Sequence, residues 1–227
     1  MISINGICYI AAACRENSDN IFLNPQKTDI VIAADGGYEI LKEKGICPDI
    51  LLGDFDSIEN LPDHENIIKH PVEKDDTDTM LACKLGFEKN YSNFVIYGGV
   101  GGRIDHTLAN VQTLLWVAKR GGRAFLMGDN VVMSTIHNQK MVFPSGYSGK
   151  ISVFAQGNTA KGVKISGFKY FAENIDLTPD FPLGVSNEFV GERAEISVKN
   201  GTLLIVWEQK SEDFIKKIDG FIGKTNQ

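Results

Sequence analysis

Two aspartates two residues apart, Asp54 and Asp56, stand in the string Gly53-Asp54-Phe55-Asp56-Ser57. Two more, Asp75 and Asp78, stand three apart in Lys74-Asp75-Asp76-Thr77-Asp78-Thr79. In an extended chain the side chains of residues i and i+2 point to the same side, so Asp54 and Asp56 converge around Phe55. On a helix, residues i and i+3 share a face, which brings Asp75 and Asp78 together. Converging carboxylates repel one another unless a cation holds them. Magnesium prefers oxygen ligands and is commonly held by one or two carboxylates, waters and substrate phosphates, which suits these pairs. Each pair also has a structural reading: Asp54 and Asp56 form a turn and cap a helix, and one of Asp75 and Asp76 caps a helix beginning near Thr77. Capping uses one carboxylate of the set and leaves the clustering of the others unexplained.

A second concentration of chemistry is Gly98-Gly99-Val100-Gly101-Gly102-Arg103-Ile104-Asp105-His106. Without Cβ atoms, the glycine amides can approach a phosphate closely, and a helix N-terminus behind them adds its dipole. Arg103 offers a two-pronged fork for phosphate oxygens. The alternative is a flexible strand-to-helix connection with Asp105 as N-cap. The string matches neither GxxxxGK[ST] nor GxGxxG. His106 draws interest only through its place in this loop, whereas His64, His70 and His137 read as surface or core residues.

These strings need a scaffold that delivers them to one place. Over the first 130 residues, short apolar runs alternate with helical patterns, the rhythm of βαβ units and a mostly parallel sheet. Strands are predicted at Ile7–Ala12, Ile30–Ala34, Ile50–Gly53, Phe94–Tyr97 and Ala124–Met127, and helices at Tyr38–Lys44, Thr79–Lys89 and Asp105–Lys119. The last helix carries Leu108, Val111, Leu115 and Ala118 on one face and stops at Gly121-Gly122. In an open parallel sheet, ligands bind beyond the carboxyl ends of the strands, which is where Ala34-Asp35-Gly36-Gly37, the Asp54 string and the glycine loop fall. After about residue 131 the texture becomes strands broken by Gly, Asn and Pro. The clearest hairpin there is Ala194–Val198, Asn200-Gly201, Leu203–Trp207. The fold class is therefore α/β: a mostly parallel, Rossmann-like domain over 1–131, a small all-β sandwich over 132–211, and a tail over 212–227 whose Phe214, Ile215 and Ile218 suit a short helix.

Composition narrows the function. The 227 residues carry a net charge of -6, are 43% hydrophobic and 23% charged, and have scattered Lys and Arg, which gives no footprint for nucleic acid or an anionic membrane. No apolar run approaches the roughly 20 residues of a spanning helix. The four cysteines, Cys8, Cys14, Cys47 and Cys83, form no CxxC pair and read as reduced residues of a cytoplasmic protein. Ala11-Ala12-Ala13-Cys14 has the look of a lipoprotein cleavage site. No Lys or Arg precedes Arg15, however, and Ser3, Asn5 and Gly6 interrupt the apolar stretch, so Gly6–Ala13 is read as a first buried strand.

Taken in order, ADGG at 34–37, GDFDS at 53–57, DDTDT at 75–79 and GGRIDHTLAN at 101–110 resemble the motif set of the thiamine pyrophosphokinases. The resemblance covers nearly the whole chain, since that family places a β-sandwich after its α/β domain. It implies a homodimer, with ATP and Mg2+ on the α/β domain and active sites shared between subunits. Asp54, Asp56 and Asp75 match the magnesium-binding aspartates; Asp35 and Asp78 match acidic positions lining the same cleft, and Asp78 joins the three as a catalytic candidate. Arg103 and Asp105 match the nucleotide-binding loop, in which Gly99 and Gly102 fall, with Gly36 and Thr77 beside it. In the second domain, Tyr170, Ser186 and Asn187 are similar to the thiamine pocket, where a ring stacks on the vitamin and a serine meets its aminopyrimidine. Two departures stand out: many relatives have Trp where Tyr170 stands, and Ala11–Cys14 replaces a glycine-rich turn. The implied chemistry is attack by the thiamine hydroxyl on the β-phosphorus of ATP, releasing AMP. Two rivals remain at this stage, a DxDx[ST]-type phosphohydrolase with Asp54 as nucleophile and a sensor that binds nucleotide or vitamin without turnover.

Overall fold

Strands covered on both faces read as unbroken apolar runs, because neither side of the pleat meets water. Ile7–Ala11 (β1) is of this kind, buried at every position, as is Ile30–Ala34 (β2) after its first residue. The computed structural model describes residues 4–16, 21–55, 64–71 and 75–222. Its contacts divide the chain into two units, one of Met1–Thr113 with Leu126–Asp129, the other of Leu114–Phe125 with Asn130–Gln227.

In the first unit β1 pairs in parallel with β2 and with Asn93–Tyr97 (β5); β2 continues to Ile50–Gly53 (β3), and β3 to Ile67–Lys69 (β4). The strand order is β4-β3-β2-β1-β5-β6, where β6 is Arg123–Gly128. Gly37–Glu43 (α1), Asp78–Glu88 (α2) and Ile104–Ala118 (α3) connect the strands. The carboxylates at the starting ends of the strands are spent on backbone: Asp29 accepts from Ile7 N at 2.8 Å and Asp49 from Val31 N at 2.7 Å. Those at the carboxyl ends stand where an open parallel sheet binds its ligands.

Helix α3 lies where its periodicity predicts, but the face it buries is shifted. Asn110, Thr113, Leu114 and Val117 are buried together with Ala118 of the predicted face; Val111 and Leu115 are half-buried, and Leu108 is 61% exposed. Polar residues can occupy the inward face because their hydrogen bonds close locally: Asn110 Nδ2 donates to Gly99 O at 2.8 Å and Thr113 Oγ1 to Ala109 O at 3.1 Å. The helix ends as predicted at Gly121-Gly122: the φ of 78° at Gly121 turns the chain so that Gly122 N donates back to Val117 O at 3.1 Å.

The second unit is antiparallel, with Val131–His137 (β7), Lys140–Phe143 (β8), Lys150–Ser166 (β9), Ala172–Leu177 (β10), Gly184–Glu188 (β11), Ala194–Ser197 (β12) and Asn200–Glu208 (β13). The expected hairpin across Asn200-Gly201 does not form. β13 pairs with β7 and with Ile151–Gln156 of β9, while β12 pairs with β8 and with Lys164–Ser166 near the far end of β9. The 17-residue β9 offers a longer ladder than a local turn would, so Asn200-Gly201 passes the chain from one partner of β9 to another.

The tail is part of this unit. Ser211–Lys217 (α4) and Asp219–Ile222 (α5) bury Phe214 and Phe221. Both rings join an aromatic core: Phe214 lies 4.8 Å from Phe125, and Phe221 5.5 Å from Phe143. Arg123 holds the end of the tail through a hydrogen bond to Phe221 O, and burial pulls its guanidinium below its usual range. Among the described residues, no helix is long and apolar enough to cross a membrane.

Candidate active site

Continuation of the parallel ladder beyond the strand ends builds a cleft in the first unit. Ala12 N donates to Tyr97 O at 2.8 Å and Cys14 N to Gly98 O at 3.0 Å, so the segment after β1 runs beside the start of the glycine loop. Gly98 sits at φ 64°, and a Cβ there would lie 2.3 Å from Ala12 O, so only glycine permits this approach. The resulting cleft holds about 550 Å³, within the usual range for small-molecule sites.

Six of the residues singled out from sequence line it: Asp35, Thr77, Asp78, Gly99, Gly102 and Arg103. Asp35 is fixed at φ 50° by the bond from its N–H to Leu52 O at 2.7 Å, which ties the end of β2 to β3. Thr77 is the N-cap of α2, its Oγ1 accepting from Met80 N at 3.2 Å. Asp78 is the first helical residue, where the helix dipole favours negative charge.

The remaining acidic candidates depart from expectation. Strand β3 ends at Gly53, and Phe55 turns to φ 59° with its ring buried. Asp54 follows the strand half-buried, and Asp56 lies outside the described residues. A bulky residue with positive φ stores strain of about 1–3 kcal/mol, a feature that clusters at functional sites. Asp75 precedes α2 rather than riding on it, so the shared helical face with Asp78 is absent. Neither Asp75 nor Asp76 caps the helix, since Thr77 does; Asp76 instead accepts from Lys84 Nζ at 2.6 Å. Gly36 is the N-cap residue of α1, outside the cleft lining.

Arg103 forks onto Asp105, at 2.6 Å through Nη2 and 3.2 Å through Nε. This bond, chiefly, holds the Asp105 carboxyl below its ordinary range and raises the guanidinium. The pair is exposed, so it contributes little to stability and can yield to a phosphate. The other lining arginine, Arg15, likewise faces Glu43 at 2.9 Å. Each cation thus brings its own carboxylate, while Glu16, Asp35 and Asp78 remain in the wall. The donor chemistry suits Mg2+, yet among the described residues no three acidic, His or Cys side chains form a metal-holding group.

Ala12–Cys14, named from the resemblance only as a departure from a glycine-rich turn, do line the cleft; the sequence did not point to Arg15 or Glu16, nor to Asn110, whose bond to Gly99 O fixes the glycine loop. The only signal for Asn110 was its position inside the GGRIDHTLAN string.

In the second unit, Asn187 is joined to Tyr170. Asn187 is buried; its Oδ1 accepts from Tyr170 N at 3.0 Å and its Nδ2 donates to Tyr170 O at 2.6 Å. Its amide is thereby spent on holding the backbone of Tyr170. The Tyr170 ring is 61% exposed, with Lys169 Nζ 5.6 Å from its centroid. Ser186 stands at φ 61° with its N–H on Ser152 Oγ at 3.1 Å.

Comparison with known proteins places this arrangement. The family model described as "Thiamin pyrophosphokinase, catalytic domain" matches residues 24–126, and "Thiamin pyrophosphokinase, vitamin B1 binding domain" matches 135–203. A thiamine pyrophosphokinase of Bacillus subtilis (strain 168) is 30% identical over 190 residues, covering 77% of this chain and 85% of that protein. The crystal structure of a Bacillus subtilis thiamine pyrophosphokinase superposes with a TM-score of 0.76 at 25% identity, over 89% of this chain and 98% of that one. That of Geobacillus thermodenitrificans gives 0.77 at 23% identity, over 90% and 98%. Two domain models matched in order, together with a curated relative aligned over most of both proteins, show that this chain belongs to the thiamine pyrophosphokinase family.

Proposed function

We infer that the chain is an enzyme moving the diphosphate group of ATP to the hydroxyl of thiamine, giving thiamine diphosphate and AMP. The observation that carries this reading is the pair of family models matched in order, the catalytic one spanning the cleft residues from Ala34 to Asn110 and the vitamin-binding one spanning Tyr170, Ser186 and Asn187. ATP is assigned to the first unit, with its phosphates along Gly99–Gly102 and Arg103. Asp54, Asp56 and Asp75 would hold Mg2+, which when bound neutralises charge on the phosphates. Everything else asked of the chain is positioning, since phosphoryl-type transfer depends mainly on alignment and charge. Asp35 and Asp78 shape the acidic wall, and Asp75 or Asp78 accepts the hydroxyl proton.

The second unit is read as the vitamin-binding β-sandwich, with Tyr170 as stacking ring, Ser186 as hydrogen-bond partner and Asn187 as the clamp that presents Tyr170. The chain is further proposed to work as a homodimer with active sites drawn from both subunits. Supporting that are exposed large apolar side chains in the second unit, Phe171 at 84% and Phe181 at 64%, beyond what an isolated surface usually leaves in water. The four free thiols suit a reducing compartment such as the cytoplasm. The phosphohydrolase reading is not favoured: it expects the Asp54 strand first in its domain, and β3 follows β1 and β2.

Incubation with ATP, Mg2+ and thiamine, followed by chromatography, should yield AMP and thiamine diphosphate in equal amounts. Formation of ADP and thiamine monophosphate would contradict attack at the β-phosphorus.

A further inference from the structure

We propose that Glu16 occupies the place of a nucleotide phosphate oxygen on the glycine loop and thereby sets how tightly ATP binds. This rests on the reading of the cleft as the ATP site.

The loop's polar groups show why Glu16 differs from its neighbours. Gly98 O accepts from Cys14 N at 3.0 Å, and Gly99 O from Asn110 Nδ2 at 2.8 Å. Gly101 N donates to Thr107 Oγ1 at 3.3 Å. Those three bonds join the loop to neutral groups of its scaffold. Gly102 N instead donates to Glu16 Oε2 at 2.7 Å, an anionic oxygen brought from 86 residues away. Gly101, at φ 100°, makes room for it: a Cβ there would lie 2.5 Å from the same Oε2.

A carboxylate oxygen and a phosphate oxygen are the same kind of acceptor for a backbone N–H, and both carry negative charge. They cannot share the Gly102 amide, and side by side they repel. Both Glu16 and Gly102 line the cleft and are exposed, so water can take over the carboxylate when it is displaced. Phosphate binding is then an exchange, and the observed affinity is reduced by the fraction of molecules in which Glu16 holds the amide. Gly102 is freed when the carboxylate is removed.

Titration calorimetry of the intact protein with Mg2+ and a non-hydrolysable ATP analogue tests this. Glu16→Ala should bind the analogue about fivefold to tenfold more tightly than the native protein. Glu16→Gln, which keeps the shape but loses the charge, should also bind more tightly, by a smaller factor. Thiamine affinity should stay unchanged in both. If Glu16 instead braces the loop, Glu16→Ala weakens binding and Glu16→Gln restores it, which would overturn the proposal, as would unchanged affinity. Alkylation of Cys14 in the same samples separates this from failure of the underlying reading. Should the analogue bind without shielding Cys14, the ATP site lies elsewhere and both fall; should it shield Cys14 while the Glu16 variants bind no more tightly, only the role of Glu16 falls.

Discussion

A thiol reports on its surroundings through access and ionisation, and the four cysteines differ in both. Cys8 and Cys83 are fully buried, and burial pushes both thiols above their usual range. Cys47 is exposed, and Cys14, half-buried, lines the cleft where its Sγ would lie 3.4 Å from a Cβ on Gly102. Under native conditions iodoacetamide should modify Cys14 and Cys47, and reach Cys8 and Cys83 only on unfolding, as peptide mass mapping would show. ATP with Mg2+ should slow the reaction at Cys14 severalfold and leave Cys47 unchanged; equal protection of the two, or none, would speak against nucleotide in this cleft. Asp35, Asp78, Gly99 and Gly102 of the cleft wall were legible because their types announce their chemistry. Glu16 was not, since its contact with Gly102 spans 86 residues, and nothing in its neighbourhood in the chain marks it.

Elements were legible where one force dominates. The buried runs of β1, β2 and β3 and the glycine stop of α3 fall within a residue or so of expectation, because apolar periodicity and positive φ are local signals. Edge strand β4 escaped: three residues, partly exposed, carry no such run. The Asn200-Gly201 hairpin failed because pairing with the long β9 outweighs a turn preference, and the α3 face failed because Asn110 and Thr113 satisfy their polar groups inward. The start of α2 is both a helix cap and a piece of cleft wall, which gives a sharp expectation. Thr77→Ala removes the cap on Met80 N and should cost about 1 kcal/mol, read as a lower denaturation midpoint at unchanged slope. Because Thr77 also lines the cleft, the KM for ATP should rise in the same variant. Thr77→Ser keeps the hydroxyl and should preserve both; loss of stability without any change in KM would leave the residue a cap alone.

At the scale of the whole molecule, the proposed function requires two sets of residues to work on one pair of substrates: the cleft of the first unit and the Tyr170 surface of the second. Under the proposed two-fold dimer, each active site takes Asp54, Asp56 and Asp75 from one subunit and Tyr170 and Ser186 from its partner, and the symmetry makes two such sites. Asp54→Asn removes a charge needed by the metal, and Tyr170→Ala removes the ring, so each homodimer should be strongly impaired. Mixing the two variants has a different outcome. In a mixed dimer one site receives both lesions and the other receives neither, so activity should return on subunit exchange, up to about one intact site per mixed dimer. Tagging the variants differently and isolating dimers that carry both tags verifies the exchange independently of activity. Recovery in that fraction requires a shared site, because a site contained within one chain would be damaged in every copy whichever partner it had. Absence of recovery in verified mixed dimers would instead assign each chain its own complete site and remove the shared-site proposal.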